Sequence, residues 1–377
     1  RHPNLFGVFI TSFSCGPDSF ITGYFRDTMG QKPSLTLEID AHTADAGIDT
    51  RIEAFLDVIK GFRELEPAGE DTDDFRPARM VRRKEGYVIE TGNGRRYRLT
   101  DPEVRLLIPS MGESVSRCLA AAMRKSGIRA TALDPPGRRE LSLGKEHATC
   151  KECLPLILTS GSLANYLSSP RPDGEVIAYF MPETDGPCRF GQYNVFMKNY
   201  IRKNRIPDVA LFTLSSRDSY DGIPRDLTRR IWLGLTIGDG LEEVRAGILA
   251  LAEERGAALD AFVRARDRIV QSVAEDSYGG VMKTLKDAME GLAAFRKRCP
   301  VEKATKVSLI GEIFVRRDQF SRQYLAEKLA DKGVLLRTAP ATEWLHYTDY
   351  CLARGLSGPV SLGKRLMMKL KKTVMLK

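Results

Sequence analysis

The fold turns on residues 104–134, VRLLIPSMGESVSRCLAAAMRKSGIRATALD. Residues 104–109 read as a strand, 113–126 as a helix and 130–134 as the next strand. Strand, helix, strand at this spacing describes parallel strands joined by a crossover helix. The alternation runs on downstream. Residues 153–167 read as a helix after a loop, 176–181 as a strand, 191–203 as a helix and 209–214 as a strand. Upstream, residues 5–13 (LFGVFITSF) are apolar and β-branched, as a buried strand is. A helix over 19–29, an alternating strand over 34–39 and an amphipathic helix over 49–62 follow, the last with Ile52, Phe55, Leu56 and Ile59 on one face. The fold class expected is α/β, with two Rossmann-like parallel-sheet units and a helical insertion.

The length of 377 residues fits two or three domains at ~150 residues each. Residues 1–65 read as the C-terminal part of a first Rossmann-like domain. The start, Arg1-His2-Pro3-Asn4, lacks Met and runs straight into a strand, as a cut from a longer polypeptide would. Residues 66–100 read as a charged linker with a β-ribbon, its hairpin across Gly92-Asn93-Gly94. A second Rossmann-like domain takes 101–226 and an almost wholly helical segment 227–299. A closing α/β segment takes 300–360, with a strand over 306–314, a helix over 320–332 and a strand over 334–339. A basic tail takes 361–377. No internal repeat has a fixed period.

Hydrophobic residues are 42% and charged residues 28%, which excludes disordered and collagen-like chains. No run of ~18 uncharged apolar residues occurs, so no transmembrane helix and no membrane partner are expected. The net charge of +9 is local. It sits in residues 76–98 and in the tail from Lys364, and such patches can attract nucleic acid or anionic lipid. No zinc-finger or RNA-binding signature accompanies them, so a solvated linker and a packed tail are expected, without nucleic acid. Seven cysteines are too few for a disulfide scaffold. Without a secretory signal, reduced thiols and a cytoplasmic location are expected.

Three cysteines fall where strands give way to helices, the place where open α/β sheets hold ligands. Cys15 follows the first strand, Cys153 opens a helix and Cys188 follows the strand over 176–181. Cys150 precedes Cys153 in Cys150-Lys151-Glu152-Cys153. Helix N-termini stabilise thiolates, which favours metal ligation or redox chemistry. Thiolates converging from separate loops suit an iron–sulfur cluster. Structural zinc usually takes two Cys-x-x-Cys pairs, and one is present. Buried inert thiols and a redox pair remain open alternatives. Cys118, Cys299 and Cys351 lie in helical patterns and read as packing.

Several stretches resemble the iron–sulfur components of the 2-hydroxyacyl-CoA dehydratase and benzoyl-CoA reductase family, most of all the activase-related domains of large fused chains. They are 12–20 (SFSCGPDSF), 37–55 (LEIDAHTADAGIDTRIEAF), 152–156 (ECLPL) and 184–193 (TDGPCRFGQY). Residues 311–320 (GEIFVRRDQF) and 339–347 (APATEWLHY) are similar to its closing segments. The resemblance implies two Rossmann-like domains around a [4Fe-4S] or related cluster, with residues 101–226 as a cluster-binding domain. It implies Cys15, Cys153 and Cys188 as ligands, with Cys150 as an extra one. It further implies an ATP-dependent activator as electron donor, an acyl-CoA substrate, and radical dehydration or reduction by a lyase or reductase component. The alternative is a non-catalytic electron-relay or scaffold domain within a larger chain or oligomer. A third class is a zinc-stabilised binding module. The family's upstream cysteine loop does not occur in these residues, and 66–100 has no counterpart in the smaller dehydratase subunits.

Other constellations are weaker. Residues 358–365 (GPVSLGKR) nearly spell a phosphate loop, but Arg365 stands where Ser or Thr would hold Mg²⁺. Gly238-Asp239-Gly240 reads as a helix break. His42 with Asp40 and Asp45 reads as a loop-capping cluster, or else as an acid–base group. His147 is a possible fourth ligand. His346 reads as packing, Glu183 and Asp185 as solvated. Arg189 reads equally as a salt bridge or as a cation for a cluster or a CoA phosphate.

Overall fold

The computed structural model describes residues 2–12, 16–40, 43–65, 74–83, 86–149, 151–183, 188–214, 224–354 and 356. The chain opens with β1 (Gly7–Ser12), α1 (Asp18–Met29), β2 (Ser34–Ile39) and α2 (Asp45–Glu64). β1 and β2 pair in parallel, from Gly7 opposite Ser34 to Ser12 opposite Ile39. Next comes an antiparallel ribbon of β3 (Arg79–Arg83), β4 (Gly86–Glu90) and β5 (Arg96–Arg98). Its second turn falls at Gly92-Asn93-Gly94, as expected. Gly94 has φ +83°, and Asn93 Oδ1 accepts from Thr91 Oγ1 at 2.6 Å and from Arg95 N at 3.2 Å. The ribbon is packed into the main core through Ala78 and the fully buried Ile89. Tyr87 meets Phe212 edge-on at 5.2 Å.

The central sheet uses β6 (Val104–Ile108), β7 (Ala130–Ala132), β8 (Val176–Phe180) and β9 (Val209–Phe212) in the order β7-β6-β8-β9, all parallel. Its crossovers are α3 (Glu113–Lys125) from β6 to β7, α4 (Arg138–His147) and α5 (Leu154–Leu167) from β7 to β8, and a 3-10 turn at Arg189–Gln192 with α6 (Tyr193–Lys203) from β8 to β9. Side chains alternate across the sheet with period two. Leu106, Ile108, Ala178 and Phe212 pack with Leu119 and Met123 of α3. Leu107, Ile177, Tyr179 and Leu211 pack with Leu156 and Leu163 of α5 and with Met197 and Ile201 of α6. Both faces are covered, which explains why these strands read as continuous apolar runs. The α/β class with Rossmann-like units holds.

α4 lies where the sequence reading had a loop. Its sequence, RRELSLGKEH, has no apolar stripe, and Gly144 is its one buried residue. Close backbone crossing holds it. A Cβ at Gly144 would sit 1.9 Å from the Ile157 carbonyl oxygen, and one at Gly161 of α5 would sit 1.8 Å from the Glu140 carbonyl oxygen.

The helical segment resolves into α7 (Arg225–Leu251), α8 (Arg255–Glu275) and α9 (Tyr278–Ala293). Gly238-Asp239-Gly240 does not break α7. Gly234 and Gly238 instead let α7 approach α3, since Cβ atoms there would lie 2.8 Å from the Cys118 carbonyl oxygen and 2.5 Å from Val115 Cα. The closing segment contains β10 (Lys306–Leu309), α10 (Ile313–Arg317), α11 (Leu325–Ala330), β11 (Leu335–Thr338) and α12 (Ala341–Arg354). β10 and β11 pair in parallel.

Three differences from the sequence reading have identifiable causes, two of them local. The strand expected over 306–314 stops at Leu309, because Gly311 turns the chain at φ +119° and Glu312 caps α10 by accepting from Val315 N at 2.7 Å. The helix expected over 320–332 begins only at Leu325, because Gln323 and Tyr324 are left-handed, at φ +53° and +56°. α12 was not foreseen. Asp239 of α7 accepts from its first N–H groups, Ala341 at 3.0 Å and Thr342 at 2.9 Å.

Two glycine substitutions separate close packing from helix propensity. Gly144→Ala should cost about 2–3 kcal/mol, since the carbonyl it meets belongs to a rigid helix. Gly291→Ala in α9, where a Cβ meets open space, should gain about 0.5–1 kcal/mol. Urea denaturation midpoints of the two variants check both signs.

Candidate functional site

The strand order changes direction between β6 and β8, and open α/β sheets hold ligands beyond the carboxyl ends of such strands. Two of the four sequence-predicted ligands lie there among the described residues. Cys153 is the residue before α5, with extended backbone at φ −65°, ψ 142°, and Pro155 follows in the first turn. Its carbonyl accepts from Leu156 N at 3.0 Å and Ile157 N at 3.2 Å, which starts the helix. Cys188 is the residue before the 3-10 turn, with φ −71°, ψ 131°, and its carbonyl accepts from Gly191 N at 3.3 Å. Cys153 is half-buried and Cys188 exposed. Cys15 and Cys150 lie outside the described residues.

Tyr193, at the start of α6, joins the two described thiols. Its hydroxyl lies near the Cys153 side chain, close enough for that thiol to act on it. Burial above all pushes its pKa up, and the nearby Cys153, Glu312 and Cys188 push it further. The hydroxyl therefore keeps its proton. The Tyr193 ring stacks on Phe20 at 6.3 Å and meets Phe190 edge-on at 5.1 Å. Phe20, 2% exposed, docks α1 against the α5–α6 face of the central sheet.

The described neighbours of Cys15 and Cys150 are tied to the same corner. Arg189 Nη1 donates to Ser19 Oγ at 3.1 Å, and Ser19 Oγ donates to the Gly16 carbonyl at 2.7 Å. A Cβ at Gly16 would lie 3.9 Å from Arg189 Cδ. Neither reading of Arg189 is met by this contact, which ties its guanidinium to the Ser19 hydroxyl of α1. Thr149 lies against α1, its methyl 3.7 Å from where a Gly23 Cβ would be. Glu152 accepts from Thr149 N and Thr149 Oγ1, both at 3.0 Å, and Lys151 pairs with Glu38 at the end of β2. Tyr24 of α1 donates to the Gln192 carbonyl at 3.3 Å, and burial followed by Glu152 and Asp27 pushes its pKa up.

Among the described residues, no three His, Cys, Asp or Glu side chains group closely enough to hold a metal ion. The described donors at the corner are two thiols, backed by a phenol and a guanidinium. His147 packs edge-on against Tyr200 at 4.7 Å. His346 lies 6.0 Å from the Trp232 ring. Asp40 accepts from Thr43 Oγ1 at 3.0 Å in a local turn, and Asp45 opens α2. Glu183 N donates to the Leu214 carbonyl at 3.0 Å. His42, Asp185 and residues 358–365 lie outside the described residues. Cys118 is fully buried in the α3–α7–α8 core, and Cys299 packs beside the β10–β11 core.

Tyr193 and Glu312 were missed as site residues. Both stand inside stretches the sequence reading had singled out, Tyr193 five places after Cys188 and Glu312 at the start of GEIFVRRDQF. Three cations of the basic ribbon share one acid. Arg79, Arg83 and Arg96 converge on Glu90 at 2.9, 2.6 and 3.2 Å, and the Arg83 and Arg79 hydrogen bonds hold its carboxyl below the usual range.

No family model, no curated protein and no solved structure matches this chain. No described helix is long and apolar enough to cross a membrane.

The thiols should differ sharply in reactivity. Burial pushes the Cys118 thiol up to about 12, with Glu242 adding to the effect, whereas Cys188 faces solvent. Iodoacetamide at pH 8 should alkylate Cys188 in the folded protein and Cys118 only in denaturant, as read by peptide mass spectrometry. Equal labelling of the two before unfolding would contradict the packing described.

Proposed function

We propose that this chain is an iron–sulfur cluster component resembling the 2-hydroxyacyl-CoA dehydratase and benzoyl-CoA reductase subunits. In this reading it accepts a low-potential electron from an ATP-dependent activator and serves radical dehydration or reduction of an acyl-CoA. The observation that supports the reading is that Cys153 and Cys188, at the starts of two separate helical turns at one end of a parallel sheet, both act on Tyr193.

The donor chemistry fits in kind. Thiols at the starts of helical turns are the positions where thiolates are stabilised. Cys153 and Cys188 would hold the cluster, with Cys15 and Cys150 as the further ligands read from sequence. A bound cluster of this kind supplies one-electron chemistry at low potential. The chain's own groups do the rest. Tyr193 holds a protonated hydroxyl near the Cys153 sulfur, and hydrogen bonds to ligand sulfur tune such sites. Arg189 adds positive charge beside Cys188. The Phe20, Phe190 and Tyr193 rings screen one side of the corner from water.

Anaerobic reconstitution with iron and sulfide should give a brown protein containing iron and acid-labile sulfide. Cys153→Ala and Cys188→Ala should each bleach it, and Cys299→Ala should leave the colour intact. Zinc binding without iron, or colour that survives both site variants, would overturn the proposal.

A further inference from the structure

On the far side of α10 from Tyr193, a cleft of about 520 Å³ runs between α7, α9 and β11. That size lies within the range of small-molecule sites, about 300–1,000 Å³. Its α7 wall extends from Asp239 to Leu251, roughly 18 Å at 1.5 Å per residue. Ile248, Leu292, Phe295 and Leu336 supply an apolar floor, and Val301 stands at the rim, 41% exposed.

One end of the cleft gathers four guanidiniums, Arg245, Arg317, Arg322 and Arg337. Three have carboxylate partners. Arg317 pairs with Asp239 at 2.8 Å, Arg245 with Glu327 at 3.1 Å and Arg337 with Glu243 at 3.2 Å. Arg322 has no carboxylate in contact among the described residues. Its Nη1 donates to the Arg316 carbonyl at 3.2 Å, and its buried Nε has no partner. Glu327, Glu242 and Asp318 act on it only through space. All three are engaged elsewhere, Glu327 with Arg245, Glu242 with the Ser114 N–H at 3.0 Å and Asp318 with the Ser321 N–H at 2.6 Å. A half-buried guanidinium without an anion is costly, and burial lowers its pKa accordingly. Lys297 and Lys306, toward the other end, donate to carbonyl oxygens and not to carboxylates.

We propose that this cleft binds an amphipathic anion, an apolar chain ending in a carboxylate or a phosphate, with the head on Arg322 and the chain over Ile248, Leu292 and Leu336. An apolar floor with a convergent, unpaired cation is the pattern of such sites, and a charge-assisted hydrogen bond to guanidinium is among the stronger polar contacts. The site stands apart from the cysteine corner and does not depend on a cluster.

Calorimetric titration of the full chain with decanoate, decyl phosphate and decanol tests this. One equivalent of decanoate or decyl phosphate should bind, and the tighter of the two identifies the head group. Decanol should bind at least about tenfold more weakly. Arg322→Gln should weaken the better anion by about tenfold, equivalent to ~1.4 kcal/mol. Met289→Trp, which fills the cleft from α9, should abolish binding while circular dichroism stays unchanged. Absence of saturable heat with both anions overturns the proposal. So does unaltered affinity in the folded Met289→Trp protein, whether or not Arg322→Gln folds.

Discussion

Burial of both faces of one small parallel sheet is the constraint on which the rest of the molecule depends. Each strand of β7-β6-β8-β9 sends alternate side chains to opposite sides, and neither side can be left to water. α3 with α7 covers one face, and α5 with α6 covers the other. Because every strand runs the same way, every loop that leads from a strand into a crossover helix emerges at one end. That end is where Cys153 and Cys188 are found. A full core side chain such as Leu107 or Tyr179 contributes on the order of 1.5–3 kcal/mol. The corner is thus held by a layer of such residues and not by its own polar contacts.

α7 is the second organising element. Its glycines bring it onto α3, and Asp239, between two glycines, reaches the closing segment. Asp239 pairs with Arg317, caps α12 and accepts from Thr342 Oγ1 at 2.8 Å. Arg317 also donates to the Met111 carbonyl at 3.1 Å, just past β6. With Arg317 4% exposed and Asp239 7% exposed, neither charge would find water if its partner were lost. This node places α10 between the cysteine corner and the amphipathic cleft. Glu312 precedes α10 and acts on Tyr193, while Arg317 ends it and lines the cleft.

Most strands of the central sheet were legible because a strand buried on both faces leaves an uninterrupted apolar run, as VIAYF at β8 and VALF at β9 do. The end of β10 was not legible, because a single glycine turn at Gly311 and the Glu312 cap leave the apolar run KVSLI unbroken before them. α4 was not, because its stability comes from a glycine meeting a distant backbone, and a glycine has no periodicity to read. The left-handed Gln323 and Tyr324 were equally hidden, since neither residue type announces that conformation. At the candidate site, Cys153 and Cys188 stood out by their positions after a loop and a strand. Tyr193 did not, because an aromatic residue in a helix reads as core until the fold brings two thiols near its hydroxyl.

From the amino-acid order alone came the α/β class, the run of crossovers and the thiols placed at the starts of helical turns, since these follow from local periodicity and chain direction. Which residues meet was decided by tertiary structure. Phe20 reaching Tyr193, Asp239 reaching both Arg317 and α12, and Arg322 left without an anion all join positions far apart in the chain. Such meetings depend on how whole helices pack, and no local pattern encodes them.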